Sequence, residues 1–158
     1  VTVRECRIEA REEGIRGAFS RCGLTNLLLI VPEGIGMRFL AVGATDQNIF
    51  DHCTIDAKVG IQVDTGVPKI ENSLISNITE KGTVGIRCLQ AGNPQFSYDN
   101  VFGFTTPYEN CSAGLGTRAI SPAFVGGNPF DYNLLTASLL RLSDHYGQEM
   151  GRYGQSYY

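Results

Sequence analysis

A chain of 158 residues with 18% charged residues, a net charge of −3 and a pI near 5.3 argues against nucleic acid as a general partner, since binding its backbone needs a clustered basic surface. Its longest strongly apolar run, Leu27 to Val31, falls far short of the roughly 20 residues a spanning helix needs, so no membrane span is expected. The length suits one domain, and 19 glycines suit many short strands joined by tight turns.

From its start the chain carries a short pattern: an apolar residue, two polar residues, a small residue, one variable residue and an apolar residue. It reads Val3-Arg4-Glu5-Cys6-Arg7-Ile8, then Phe19-Ser20-Arg21-Cys22-Gly23-Leu24, Phe50-Asp51-His52-Cys53-Thr54-Ile55 and Ile70-Glu71-Asn72-Ser73-Leu74-Ile75, with a degenerate copy at Ser97-Tyr98-Asp99-Asn100-Val101-Phe102. The odd step to the small residue breaks strict alternation, as a bend between two strands would. A second pattern interleaves with it: Gly14-Ile15-Arg16-Gly17, Gly36-Met37-Arg38-Phe39, Gly60-Ile61-Gln62-Val63 and Gly85-Ile86-Arg87-Cys88. The leading glycines lie 22, 24 and 25 residues apart (14 to 36, 36 to 60, 60 to 85).

Each unit thus holds at least two short strands, and no stretch sustains a helical i, i+3, i+4 stripe. The leucine-rich-repeat signature is absent. These features predict an all-β, right-handed parallel β-helix of about five coils over residues 1–120. In such a solenoid like positions stack at about 4.8 Å and no coil can bury its inner face alone. Residues 121–158, irregular and rich in Gly and aromatics, are expected to form a C-terminal capping segment and tail of the same domain.

The last third of the chain carries a further series: Ala91-Gly92-Asn93-Pro94, Tyr98-Asp99-Asn100-Val101-Phe102-Gly103, Cys111-Ser112-Ala113-Gly114, Ser121-Pro122-Ala123-Phe124-Val125-Gly126-Gly127, Asp131-Tyr132-Asn133-Leu134 and Met150-Gly151-Arg152-Tyr153. Over residues 83–154 this series resembles the tail of secreted right-handed parallel β-helix repeat proteins, the pectin-lyase-like solenoids. Two positions depart from the family pattern: Leu139 follows Ser138 where the family has Pro, and Ser121 precedes Pro122 where it has Asp. The resemblance implies an extracellular or cell-surface, carbohydrate-related setting and carries over no catalytic residue.

If Ile15, Met37, Ile61 and Ile86 point inward, their neighbours Arg16, Arg38, Gln62 and Arg87 form an outward column, with Asp64 on the same face. Adjacent like charges repel by about 1 kcal/mol even in water. An acidic polysaccharide lying across the coils is one partner for such a column, since its carboxylates or sulfates accept bidentate hydrogen bonds from Arg. Carboxylates on neighbouring strands are the other. The expected function is binding or cleaving an acidic polysaccharide along this face; as an enzyme the chain would be a polysaccharide lyase or glycoside hydrolase. No cofactor is assigned, and calcium at Asp64 is the one metal left open.

Asp46, Asp51 and Asp56 are expected at solvated turns, and His52 at a bend shared with Glu5, Arg21, Asn72 and Asp99. Cys6, Cys22 and Cys53 share a small inward position with Ser73 and Asn100, Cys88 also points inward, and no disulfide or zinc site is expected. Cys111, in a loop, is the thiol to test for reactivity or pairing. Asn77-Ile78-Thr79 and Asn110-Cys111-Ser112 are formal glycosylation sequons. Phe96, Tyr98, Phe102, Phe104 and Tyr108 form an aromatic cluster expected chiefly in the core. The first strand carries no cap, so either upstream coils precede it or another molecule covers it. That leaves a rival of a different class, a structural unit self-associating end to end, with the tyrosine-rich tail Arg152 to Tyr158 at the contact.

Overall fold

The structure of the chain is a computed structural model that describes residues 2–18, 21–40, 48–89 and 93–153. Five layers follow one another. The first holds β1 (Thr2–Arg4), β2 (Arg7–Glu9) and β3 (Glu13–Gly17). The second holds β4 (Gly23–Thr25) and β5 (Leu28–Leu40), and the third holds β6 (Ile49–Asp51) and β7 (Thr54–Thr65); β5 and β7 each run through the two remaining sides. The fourth holds β8 (Lys69–Glu71), β9 (Leu74–Ser76) and β10 (Gly82–Cys88), and the fifth β11 (Gln95–Ser97), β12 (Asn100–Phe102) and β13 (Phe104–Glu109). Each pairs in parallel with its counterpart one layer on, giving one sheet ordered β1-β4-β6-β8-β11 and a larger one on the other sides. The fold is an all-β parallel solenoid. No helix among the described residues is long and apolar enough to cross a membrane.

Register explains the core. Val3, Leu24, Phe50, Ile70 and Phe96 stack on the first side, Ile8, Leu29, Ile55, Ile75 and Val101 on the second, and Ile15, Met37, Ile61, Ile86 and Tyr108 on the third. Most of these side chains are fully buried in one cluster, and each such burial contributes about 2 kcal/mol. Phe96, Phe104 and Tyr108 belong to that packing, whereas Tyr98 stacks edge-on against His145 at 4.8 Å.

The repeating glycines line up on the third side because the layers leave no room there for a side chain. A Cβ on Gly14 would lie 2.5 Å from the Gly36 carbonyl oxygen, one on Gly36 2.7 Å from that of Gly60, and one on Gly85 2.6 Å from that of Pro107. On Gly60 it would also collide with the Gly85 carbonyl and the Ile75 side chain. The glycine is therefore needed for close approach of successive backbones, not for an unusual φ.

The bend between first and second sides needs the left-handed conformation in every layer: φ is 55° at Glu5, 54° at Asn26, 50° at His52, 54° at Asn72 and 55° at Tyr98. The bend column therefore contains Asn26 and Tyr98 where the sequence pattern places Arg21 and Asp99. The neighbouring column holds Cys6, Leu27, Cys53, Ser73 and Asp99, so Cys22 and Asn100 do not belong to it. The reason is that Leu24 stacks on Val3, not on Ile8. Phe19 and Ser20 lie outside the described residues.

After a partial sixth layer, marked by parallel bridges from Ser97 to Leu115 and from Asn100 to Arg118, the chain turns back along the flank. It forms an antiparallel pair, β14 (Phe124–Gly126) and β15 (Asp131–Leu134), and a short 3-10 turn at Leu139–Leu142. This segment is tied to the third and fourth layers. The Tyr132 hydroxyl donates to Asp56 at 2.6 Å, Gly151 N to the Asn72 carbonyl at 2.8 Å, and Arg152 N to Thr54 Oγ1 at 2.9 Å. Leu134, Leu140 and Met150 pack with Leu74 in a second apolar cluster. The tail from Gly154 to Tyr158 lies outside the described residues.

Candidate functional site

The third side of the solenoid presents the outward column. Arg16 pairs in register with Arg38, Arg38 with Gln62, Gln62 with Arg87 and Arg87 with Glu109. Alternation along β3, β5, β7, β10 and β13 turns these residues away from the inward stack at Ile15, Met37, Ile61, Ile86 and Tyr108. The sequence-predicted residues Arg16, Arg38, Gln62, Asp64 and Arg87 thus share one face across adjacent strands.

That face is charge-balanced. Arg38 reaches Asp64 Oδ2 through Nε at 3.1 Å and Nη2 at 2.9 Å, and its Nη1 lies 3.5 Å from Glu13 Oε1. Arg16 meets Glu13 at 3.8 Å, and Arg87 donates through Nε to Glu109. Gln62 Nε2 donates to Asp64 Oδ1 at 2.7 Å. Three carboxylates, Glu13, Asp64 and Glu109, therefore meet the three arginines; Glu13 and Glu109 are the contributors that the repeat pattern does not single out. Desolvation pushes the Asp64 carboxyl up, but hydrogen bonds from Gln62 and Arg38 and the Arg38 and Arg16 charges outweigh it, leaving the group below the usual carboxylate range. Exposure grades outward from the centre: the Asp64 side chain is 14% exposed, Arg38 28%, Arg87 30% and Arg16 57%.

Asp64 is accordingly a fixed anion clamped by two donors. Among the described residues no group of three or more His, Cys, Asp or Glu side chains is placed to hold a metal ion.

The remaining sequence candidates fall elsewhere. Asp51 and Asp56 are 0% and 1% exposed, so neither is a solvated turn carboxylate. Asp56 accepts from Tyr132 and from Ile78 N, and burial still raises its pKa above the ordinary value. Asp46 lies outside the described residues. His52 is more than a bend residue: its Nδ1 lies 2.8 Å from Asp51 Oδ1 and its Nε2 3.1 Å from Asp144 Oδ2, all three side chains being completely buried. Both ring nitrogens face carboxylate oxygens, an arrangement that favours the doubly protonated imidazolium, which donates to both. Burial opposes that charge, but the hydrogen bonds and charges of Asp51 and Asp144 outweigh it and raise the His52 pKa. Asn72 Nδ2 donates to Asp51 Oδ1 at 2.8 Å, and its Oδ1 accepts from His145 N at 2.9 Å, extending the network to the C-terminal segment. This network fastens the C-terminal segment to the solenoid.

Both sequon asparagines are engaged: the Asn77 side-chain amide donates to the Ala57 carbonyl at 2.9 Å, and that of Asn110 to the Cys88 carbonyl at 3.2 Å. Cys53 is sealed in the core, where burial pushes its thiol up to about 12. Comparison with protein-family models, with curated proteins and with solved structures finds no match.

Proposed function

We propose that the chain is an extracellular or cell-surface β-helix protein of the pectin-lyase-like kind, and that it binds an acidic polysaccharide along the face bearing Arg16, Arg38, Gln62, Asp64 and Arg87. The observation that carries this reading is the in-register ladder of outward guanidinium and carboxamide groups on adjacent parallel strands. Glu13 and Glu109 occupy ligand-like positions at its two ends. Carboxylates or sulfates of a glycan would take the places of these two, releasing Arg16 and Arg87 to the ligand, while the Arg38–Asp64 pair holds the centre of the ladder fixed. Asp64, held ionised, supports an electrostatic and not a proton-donating role, so the ladder favours binding over hydrolysis, which uses a pair of carboxyl groups in opposite protonation states.

Retention on immobilised acidic glycans, for example polygalacturonate or a sulfated polysaccharide, tests this reading. Arg38→Ala combined with Arg87→Ala is expected to weaken retention at least tenfold, since each charge-assisted hydrogen bond is worth about 1.5–3 kcal/mol. Arg16→Ala, which leaves the Asp64 clamp whole, is expected to weaken it by a smaller factor, and added salt should weaken the wild-type interaction. Unchanged retention of both variants across acidic glycans, with melting curves showing them folded, contradicts the proposal.

A further inference from the structure

The geometry points to a disulfide between Cys88 and Cys111 that joins the fourth layer of the solenoid to the fifth, a modification site separate from the glycan-binding face. All five cysteines are free thiols in the structure, and these two stand at neighbouring positions of adjacent layers. β10 and β13 run parallel with Arg87 opposite Glu109, which sets Cys88 at the end of one strand beside Asn110 and Cys111 just past the end of the other. Asn110 adopts the left-handed conformation, with φ 58°, and its side-chain amide grips the Cys88 carbonyl at 3.2 Å. This turn brings Cys111 back against the layer above, where its Sγ lies 3.7 Å from the Ile86 carbonyl oxygen, two residues before Cys88. The two side chains share the same packing, Cys88 within the core cluster and Cys111 against it. Neighbouring positions on paired parallel strands hold Cα atoms within the range a disulfide bridges.

The pair is also asymmetric. Cys88 is buried, at 3% exposure, and Cys111 is partly exposed. A small disulfide oxidant such as oxidised glutathione therefore meets Cys111 first. Its thiolate attacks one glutathione sulfur and expels one molecule of reduced glutathione. The Cys88 thiolate then attacks Cys111 Sγ in the mixed disulfide and expels the second. Two thiols and one oxidised glutathione become one protein disulfide and two reduced glutathiones, with no other reactant. Burial pushes the Cys88 thiol up to about 12, with Cys111 adding to the rise, so the reaction is slow near neutrality and quickens with pH. The other cysteines have their own surroundings: Cys53 donates to the Asp51 carbonyl at 3.5 Å, and Cys6 to the Arg4 carbonyl at 3.3 Å.

The full chain is incubated with oxidised glutathione at a pH of about 8.5, near the ordinary thiol value, and its mass and peptide map are read. The expected product is lighter by two hydrogen atoms. Both cysteines fall on the tryptic peptide that ends at Arg118, and glutamyl endopeptidase cuts that peptide after Glu109; the two fragments should stay joined until reduced. The oxidised chain should melt about 5 °C or more above the reduced one. In Cys88→Ser the glutathione adduct should instead persist on Cys111. Three results overturn the inference: a stable glutathione adduct on wild-type Cys111, a disulfide linking any other pair, or five unreacted thiols in the folded chain when all five react in denaturant. None of these results bears on glycan retention, so the two proposals stand or fall separately.

Discussion

Gly60→Ala is expected to destabilise the chain by about 3 kcal/mol, the upper part of the range for inserting atoms into a packed interior. The added methyl would meet the Gly85 carbonyl oxygen and the Ile75 side chain, and both neighbours are fixed. Ile75 is fully buried in the second inward stack, while Gly85 lies in β10, whose flanking residues Val84 and Ile86 pair with β7. The clash can be relieved only by separating two layers, which weakens the parallel hydrogen bonds between β7 and β10. Gly23→Ala is the control, since its added Cβ would find nothing nearer than 3.8 Å, a Thr2 methyl. Urea midpoints of the two variants and of wild type check the expectation. Equal midpoints for Gly60→Ala and Gly23→Ala would show that the layers are not in this close contact.

His52→Ala should cost about 3–5 kcal/mol, because it leaves the Asp51 and Asp144 carboxylates buried without the imidazolium between them. The loss should be felt first in the C-terminal segment, of which Asp144 is part, so limited proteolysis should release fragments from residues 121–153 before the layers are cut. The pH dependence has a definite sign. The folded-state pKa of His52 lies above its ordinary value of about 6.5. Its contribution is therefore complete below about 6.5 and is lost as pH rises through the raised folded value. The stability gap between wild type and His52→Ala should narrow on the alkaline side. A gap that instead widens there would remove the imidazolium from the account.

The parts of the fold that depend on neighbours one layer away were readable from the chain. Gly14, Gly36, Gly60 and Gly85 recur because each turn meets the same constraint, a backbone carbonyl of the next layer, and the column from Arg16 to Arg87 follows from alternation one residue on. The bend was harder. The second layer places the bulky Leu27 where Cys6, Cys53 and Ser73 stand, so a pattern demanding a small residue settled on Cys22 instead. Asp99 and Asn100 were exchanged in the same way, because one residue of slip keeps a plausible polar pair at the corner while turning the strand over. Only the pairing of Val3 with Leu24 and of Ile75 with Val101 resolves these positions.

What joins the C-terminal segment to the solenoid lay beyond any local pattern. Asp144 meets His52 across 92 residues and Tyr132 meets Asp56 across 76, and no periodicity links such positions. On the outward face the arginines were legible but their partners were not. Glu13 stands one position before Gly14 in the first layer, and Glu109, though in register with Arg87, belongs to a fifth layer that has no leading glycine, so the repeating sequence pattern marks neither. The face is consequently a balanced ladder in place of a bare basic stripe, and the proposed glycan would have to compete with Glu13 and Glu109.

Contacts between backbone protons of Gly60-Ile61-Gln62 and Gly85-Ile86-Arg87, read from nuclear Overhauser effects on the labelled chain, test the stacked arrangement most directly. The account predicts cross-strand contacts that advance together along both segments, linking Ile61 with Ile86 and Gln62 with Arg87. Contacts that run in opposite directions, or none between these segments, would contradict it.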